Sequence, residues 1–232
     1  MKKIIPLIAV ILIFAACKKD SVPVSDKSST ASVITDINEP GKYTFVKIGT
    51  QKWMSTNLAV IHYRNGDKIP QVEGKAAWAA LTTGAWCWYN KDSATGAVYG
   101  KLYNWYAVND PRGLAPTGWH VPSDAEWDTL ETHLGNNPGG KLKDTGTIEA
   151  GTGLWYAPNT GATNKTGFTG LPGGYRSYHG TFYEIGDEGV WWSSTEYSAG
   201  GAWGRHLGYS NGDINRNRYN KRYGFSVRCL RD

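Results

Sequence analysis

Acidic residues and histidines are the side chains of this sequence that could support catalysis. Asp187 and Glu188 are adjacent, and Glu196 follows a tryptophan pair, so these carboxylates could act as an acid and a base. A solvated turn explains the same residues more simply. The histidines form no HExxH motif, which argues against a metalloprotease helix. We therefore assign no catalytic residue and no metal ligand, and keep an enzyme of unknown reaction as an alternative.

Aromatic residues next to arginines favour binding over catalysis. Aromatic rings stack on sugar rings, and arginine donates hydrogen bonds to hydroxyls and carboxylates. Such residues stand near glycines in the C-terminal half, where long loops could present them. The predicted ligand-binding residues are Tyr175, Arg176, Tyr178, Trp203, Arg205 and Asp213.

The N-terminus carries an export signal. Lys2 and Lys3 precede an apolar run over residues 4–14, which is too short to span a membrane. The small residues before Cys17 resemble a bacterial lipoprotein signal, which implies cleavage after residue 16 and lipidation of Cys17. Two or three acyl chains would then anchor the protein stably. The alternative is an ordinary signal peptide with a free Cys17.

The rest of the chain divides into a tether and one domain. Residues 17–38 are rich in Ser, Thr, Asp, Lys and Val and contain no aromatic residue, so they are predicted to be a disordered tether. Residues 39–232 are long enough for one ordinary domain. Residues 18–20 loosely resemble a surface-export signal of outer-membrane lipoproteins. The expected location is the outer membrane, facing outward or into the periplasm.

Composition limits the partners and the fold. Removal of Lys2 and Lys3 with the signal leaves 23 basic against 20 acidic residues, without a dense basic stripe, so we expect no nucleic-acid partner. The 11 Trp, 14 Tyr and 29 Gly argue against a helical bundle and for short strands joined by long loops. No cofactor is indicated.

Two cysteines remain if Cys17 is lipidated. Cys87 and Cys229 would form an even pair in an oxidising compartment, which predicts a disulfide between them. The alternative is two buried free thiols. No second Cys or His stands at ligand spacing from either, so a zinc site is not expected.

Local signals predict a mixture of helices and strands. Ser123 and Glu126 form a capping box, Trp127 follows on the buried face, and Gly135 suits the end of the helix. Asn211 and Gly212 predict a two-residue turn. Helices are predicted over residues 76–81, 100–108 and 123–134, and residues 135–167 as a long loop. Strands are predicted over residues 43–48, 51–54, 168–171, 175–178, 181–185, 190–194, 202–209, 213–218 and 225–230.

Three segments together resemble a known family. They are residues 118–127 (GWHVPSDAEW), residues 191–196 (WWSSTE) and residues 224–232 (GFSVRCLRD). They resemble the Fibrobacter succinogenes major paralogous domain, found in bacterial secreted and surface proteins. More distantly they resemble the C-type-lectin-like fold, which includes the formylglycine-generating proteins. The resemblance implies an α+β domain with two helices packed on short antiparallel sheets and with paired N- and C-terminal strands.

The resemblance does not extend to the chemistry of these relatives. Formylglycine-generating proteins use two cysteines close together near the C-terminus, whereas Cys229 is alone there. Lectin calcium sites contain a Glu-Pro-Asn or Gln-Pro-Asp triplet followed by Trp-Asn-Asp, and this chain lacks that combination. Asn211, Asp213 and Asn215 offer oxygen atoms but do not form the dense carboxylate cluster that calcium prefers. We therefore expect a non-catalytic binding module for a glycan or protein. The alternative is a structural or adhesive envelope protein without a small-molecule site.

Overall fold

The computed structural model describes residues 43–232. The predicted signal peptide, Cys17, the tether and residues 39–42 lie outside these residues. The strands are β1 (Phe45–Ile48), β2 (Gln51–Met54), β3 (Trp86–Cys87), β4 (Leu102–Tyr103), β5 (Trp119–His120), β6 (Gly173–Arg176), β7 (Phe182–Ile185), β8 (Glu188–Ser198), β9 (Gly201–Gly208), β10 (Asn215–Asn220) and β11 (Leu230–Arg231). The helices are α1 (Lys75–Ala79), α2 (Ser93–Tyr99), α3 (Trp105–Val108), α4 (Asp124–Leu134) and α5 (Pro138–Leu142).

The two ends of the domain meet in a four-stranded sheet ordered β1-β2-β11-β5. Strands β1 and β2 form the predicted hairpin, in which Gly49 takes a φ of +60° that a glycine adopts without strain. Leu230 of β11 pairs with Trp53 on one side and His120 on the other. The last strand therefore pairs with the N-terminal hairpin, through β2 and not through the first strand β1.

Helix α4 follows from its sequence. Ser123 Oγ accepts the backbone N–H of Glu126, and the Glu126 carboxylate accepts the N–H of Ser123, so the predicted capping box is present. Trp127 is buried and its ring centroid lies 4.6 Å from that of Trp53. The helix therefore packs on the N-terminal hairpin.

A five-stranded sheet ordered β10-β9-β8-β6-β7 forms the C-terminal half. Its strands agree with the predicted ones within a few residues, except that residues 168–171 form no strand. The turn predicted at Asn211 and Gly212 is wrong, because six residues separate β9 from β10. A Cβ added to Gly212 would lie 1.5 Å from Asn137 Oδ1, so this loop is packed against the start of α5.

The C-terminal segment runs through the core. All of residues 224–230 are buried, including both faces of the strand predicted over residues 225–230. Phe225 bridges to Tyr103 and Ser226 bridges to Trp191, so the segment contacts β4 on one side and β8 on the other. Residues that are covered on both sides do not show the alternating pattern of a half-exposed strand.

The helix predicted over residues 100–108 is mostly wrong. Leu102 and Tyr103 form β4, which pairs with β3, and only Trp105–Val108 is helical. The short α2, capped by Asp92, was not predicted. Only α4 exceeds seven residues, so of the two expected main helices only the one over residues 123–134 is present within residues 43–232. The fold is α+β, with few helices and several sheets. None of its helices between residues 43 and 232 is long and apolar enough to cross a membrane.

Tryptophans fill the core on both sides of β8. Trp192 belongs to a cluster with Tyr103 and Phe225, whereas Trp191 belongs to a cluster with Trp53 on the opposite face. Successive residues of a strand point to opposite faces, so one dipeptide anchors both clusters. Trp78 lies in a third, smaller cluster with Cys87.

The predicted disulfide is not formed. Cys87 and Cys229 are both free and buried, in different clusters. Trp86 shares the cluster of Cys229, and the next residue of β3, Cys87, points to the other face. The direction of the Cys87 side chain therefore separates the two thiols.

Candidate functional site

Five tyrosines lie together on the five-stranded sheet, and we call them the tyrosine face: Tyr175, Tyr178, Tyr183, Tyr219 and Tyr223. Neighbouring ring centroids in this set are between 5.4 and 5.8 Å apart. The fully buried ring of Phe225 contacts Tyr219 at 4.7 Å and Tyr223 at 5.3 Å. Phe225 thus supports the tyrosine face from the core side.

Strand pairing brings these tyrosines together. Tyr175 of β6 is directly opposite Tyr183 of β7, so their side chains share one face of the sheet. Tyr219 lies on β10, opposite Ala202 of β9, and Tyr223 follows in the next turn. The face is therefore assembled from strands at both edges of the sheet.

The tyrosine face is open to solvent. Tyr183 is 44% exposed, and the other members are half-buried. Within residues 43–232, Tyr219 alone among the five has a hydrogen-bonding partner for its hydroxyl, His206 Nδ1 at 3.2 Å. Burial raises the pKa of Tyr175 to about 12, with a further contribution from the charge of Glu188. The Tyr175 hydroxyl therefore keeps its proton at neutral pH and can donate as well as accept hydrogen bonds.

An acidic cavity adjoins the tyrosine face. It has a volume of about 240 Å³ and its walls include Glu184, Asp187, Glu188 and His206. Burial raises the pKa of Glu188, and the neighbouring charges of Glu184 and Asp187 raise it further. Burial and then the contact with Asp187 raise the pKa of Glu184 in the same way. The neighbouring carboxylates of the cavity therefore disfavour the ionisation of Glu184 and Glu188.

His206 joins the cavity to the tyrosine face. It lines the cavity, its Nδ1 lies beside the Tyr219 hydroxyl, and Asn217 Nδ2 lies 3.3 Å from the same nitrogen. Burial lowers the pKa of His206, so its ring is neutral at neutral pH. The combined surface offers aromatic rings, hydroxyls, an imidazole, an amide and carboxylates. These groups suit a ligand with flat apolar faces and many hydroxyls.

Ser210 stands in a Gly-x-Ser-x-Gly sequence, residues 208–212, on the wall of the same cavity. In a hydrolase this motif joins a strand to a helix and aims the serine at a histidine. Here it lies between two antiparallel strands, β9 and β10, and the Ser210 hydroxyl has no hydrogen bond to His206. The motif therefore does not form a nucleophile elbow.

The predicted ligand residues fall in several places. Tyr175 and Tyr178 belong to the tyrosine face. Trp203 is half-buried, with the Arg216 guanidinium 3.4 Å from its ring centroid, and Asp213 is exposed in the loop before β10. The structure does not gather the predicted residues into one site.

Arg176 and Arg205 are not open to a ligand. The prediction required them to be exposed, but their exposures are 0% and 1%. Arg176 donates to the carbonyl oxygens of Val72, Glu73 and Gly180 and stacks on the Trp78 ring at 4.4 Å. Arg205 pairs with Asp124 and Asp128 of α4. Both arginines are used to join elements of the fold, because a buried guanidinium needs several acceptors.

Several residues of the candidate site were missed in the sequence, namely Tyr183, Tyr219, Tyr223, His206, Asn217 and Glu184. Alternation along β10 could have placed Asn217 and Tyr219 on one face. The contribution of β7 depends on its pairing with β6, which no local pattern reveals. Within residues 43–232, no group of three or more His, Cys, Asp or Glu side chains is arranged to hold a metal ion.

Comparison with known proteins identifies the family. The model of the Fibrobacter succinogenes major domain matches residues 46–231, which cover nearly the whole described part of the chain. The chain therefore belongs to this family, as the three sequence segments predicted. No curated protein matches the chain. The family match states no activity.

Proposed function

We propose that this member of the Fibrobacter succinogenes major domain family is a non-catalytic binding module that holds a neutral glycan on the tyrosine face. The observation that carries the proposal is the cluster of half-exposed tyrosines beside a cavity lined by hydrogen-bonding groups. Sugar rings present apolar C–H faces to aromatic rings, and their hydroxyls pair with carboxylates, amides and phenols.

The charge of the cavity favours a neutral sugar over an acidic one. Glu184, Asp187 and Glu188 lie close together, and the charge of Asp187 helps to raise the pKa of both Glu184 and Glu188. A uronate or a sulfate would add another negative charge to this site and be repelled. A neutral hydroxyl can instead donate to these carboxylates.

A lipid anchor and a C-type-lectin-like fold complete the proposal. The signal sequence before Cys17 supports a lipoprotein of the cell envelope, with the domain facing the surface or the periplasm. The pairing of the two chain ends in one sheet, next to the capped helix α4, supports the finer fold assignment. Fold alone does not define a ligand, so the glycan proposal depends on the tyrosine face.

The test begins with the full-length protein on an array of neutral and acidic glycans, followed by titration of a neutral glycan that binds. Tyr183→Ala and Tyr178→Ala should each weaken that binding about tenfold, because each removes one stacking ring. Tyr197→Ala is the matched control, since Tyr197 is 48% exposed but makes an edge-to-face contact with Trp203, outside the tyrosine face.

Two outcomes would reject this function. Binding of no neutral glycan is one, and equal loss in the Tyr197→Ala control is the other. Capture of an envelope protein without any sugar binding would favour the structural or adhesive alternative.

A further inference from the structure

A second concave surface lies beside the four-stranded sheet, between the N-terminal hairpin and the end of α4. We call it the hairpin groove, and it consists of two cavities that share Ile48, Gly49 and His133 in their walls. Their volumes are about 310 and 600 Å³. None of the residues that form the tyrosine face or the acidic cavity lines them.

The smaller cavity is lined by basic side chains from four parts of the chain. Lys47 comes from β1, His133 from the last turn of α4, Lys141 from α5 and Lys165 from the loop that follows. No Asp or Glu lines this cavity. The chain as a whole has 25 basic and 20 acidic residues, so a wall whose ionisable groups are all basic differs sharply from the average surface.

Hydrogen bonds and packing fix the walls of this cavity. Lys141 Nζ donates to the Leu134 carbonyl oxygen at 2.5 Å, and Thr166 Oγ1 donates to the Lys141 carbonyl oxygen at 3.0 Å. The second bond holds Lys165, the neighbour of Thr166, at the rim. A Cβ added to Gly49 would lie 2.9 Å from His133 Cγ, so the imidazole ring packs directly on the turn glycine.

Part of this charge has a structural explanation. The ammonium group of Lys141 reaches the C-terminal end of α4, where it offsets the partial negative charge of the last carbonyl groups, and His133 belongs to the last turn of that helix. Lys47 and Lys165 belong to other elements, and neither forms an ion pair with a carboxylate of residues 43–232. Both are exposed. Their ammonium groups are therefore available to a ligand.

We propose that the hairpin groove binds a ligand through an oxyanion group, a carboxylate, sulfate or phosphate, held by Lys47, Lys165 and His133. Ammonium and imidazole N–H groups are donors that pair well with such oxygens. The larger cavity, on the other side of His133, is lined by Thr50, Thr129 and Thr132 and can hold the uncharged part of the ligand. Asp128 also lines this larger cavity, and its carboxylate forms an ion pair with Arg205, so the oxyanion is placed in the smaller cavity. The ligand class is a small molecule or sugar unit with one anionic end.

Binding of defined probes to the full-length protein tests this proposal. Inorganic phosphate, glucuronate and a sulfated disaccharide represent the three sources of the oxyanion, and glucose is the neutral control. At least one anionic probe should bind at a single saturable site, and added salt should weaken that binding. The probe that binds identifies the source.

Variants then locate the site. Lys47→Gln combined with Lys165→Gln should weaken binding at least about tenfold, because two charged donors are lost. Lys52→Gln combined with Lys68→Gln is the matched control, since it changes the net charge equally at exposed lysines outside the groove. Lys52 is directly opposite Lys47 in the hairpin, which makes this control stringent.

Thermal unfolding should be alike for both double variants and the parent, because all four lysines are exposed. No saturable binding of any anionic probe would overturn the proposal. Equal weakening by the two double variants would overturn it too, because the attraction would then come from net charge rather than from the groove.

Discussion

Arg205 and Asp124 form a buried ion pair that holds α4 on the five-stranded sheet. Arg205 Nη1 lies 2.6 Å from Asp124 Oδ1, and Arg216 binds Oδ2 of the same carboxylate at 2.6 Å. Burial alone would raise the pKa of Asp124, but the hydrogen bonds from Arg216 and Arg205 outweigh it and hold that pKa below its usual range. One carboxylate at the start of α4 therefore connects the helix to both β9 and β10.

Asp124→Asn should strongly destabilise the protein. The substitution leaves the Arg205 guanidinium buried without its main counter-charge, a change that costs about 3 kcal/mol of unfolding free energy in comparable pairs. Urea unfolding measures the change. Arg216→Gln is the control, because the Arg216 side chain is 42% exposed, and its loss should cost less than about 1 kcal/mol. Similar losses for both variants would contradict a dominant role of the buried pair.

His120 should make stability depend on pH. Its ring nitrogens lie 2.7 Å from Asp232 Oδ1 and 2.8 Å from Glu126 Oε1. Burial acts to lower the pKa of His120, but the contacts with Asp232 and Glu126 outweigh it and raise that pKa above 6.5. A histidine whose pKa is higher in the folded than in the unfolded state stabilises the fold fully at pH values below its unfolded-state pKa. This contribution disappears as the pH rises through the folded-state pKa.

The stability difference between parent and His120→Gln should therefore be largest below about pH 6.5 and shrink above the folded pKa. Denaturant unfolding at several pH values measures it. Glu126 has a lowered pKa, so its own contribution is lost at the acidic end as the pH falls through that pKa. A difference that grows with rising pH would exclude the proposed role of the protonated ring.

Local signals were enough to predict the elements that depend on neighbouring residues. The capping box of Ser123 and Glu126 needs only a three-residue spacing, and the hairpin at Gly49 needs only two flanking strands. The family was also predictable, because its three segments are short and distinctive. These features required no knowledge of distant contacts.

Contacts between residues far apart in the sequence determine the features that could not be predicted. Arg176 looks like a surface residue beside tyrosines, yet the carbonyl groups of Val72 and Glu73, about a hundred positions earlier, surround it. Residues 100–108 have helical spacing, but Leu102 and Tyr103 pair with β3 instead. The tyrosine face depends in the same way on the pairing of β6 with β7, so only two of its members were predicted.

Ser123→Ala should reduce stability by about 1 kcal/mol, as expected for loss of an N-cap. The substitution removes the acceptor of the Glu126 N–H and a hydroxyl that donates to the Glu126 carboxylate at 2.8 Å. Thermal or urea unfolding measures the loss. Ser123→Thr should restore most of it, and Ser210→Ala, at an exposed loop position, should have little effect. A loss of ligand binding with unchanged stability would contradict the structural role.

Cys17→Ala should release the protein from membranes. The proposed lipidation requires the thiol of Cys17, so a variant without this thiol would lack the acyl chains that anchor the protein. Fractionation and mass spectrometry of the parent should find an acylated Cys17 in the membrane fraction. Persistence of the Cys17→Ala variant in that fraction would disprove the lipid anchor.

Cys87 and Cys229 should be recovered as free thiols from the exported protein. An oxidising compartment favours disulfides, but a bond forms only when the two Cβ atoms face each other at close range. Here the two side chains lie in different core clusters. Burial raises the pKa of Cys87 to about 12 and that of Cys229 further still, so neither thiol should react with iodoacetamide in the native protein at pH 8. Both should react at once after unfolding in denaturant without reductant, and a cross-linked peptide pair under those conditions would show that the native packing differs from the one described.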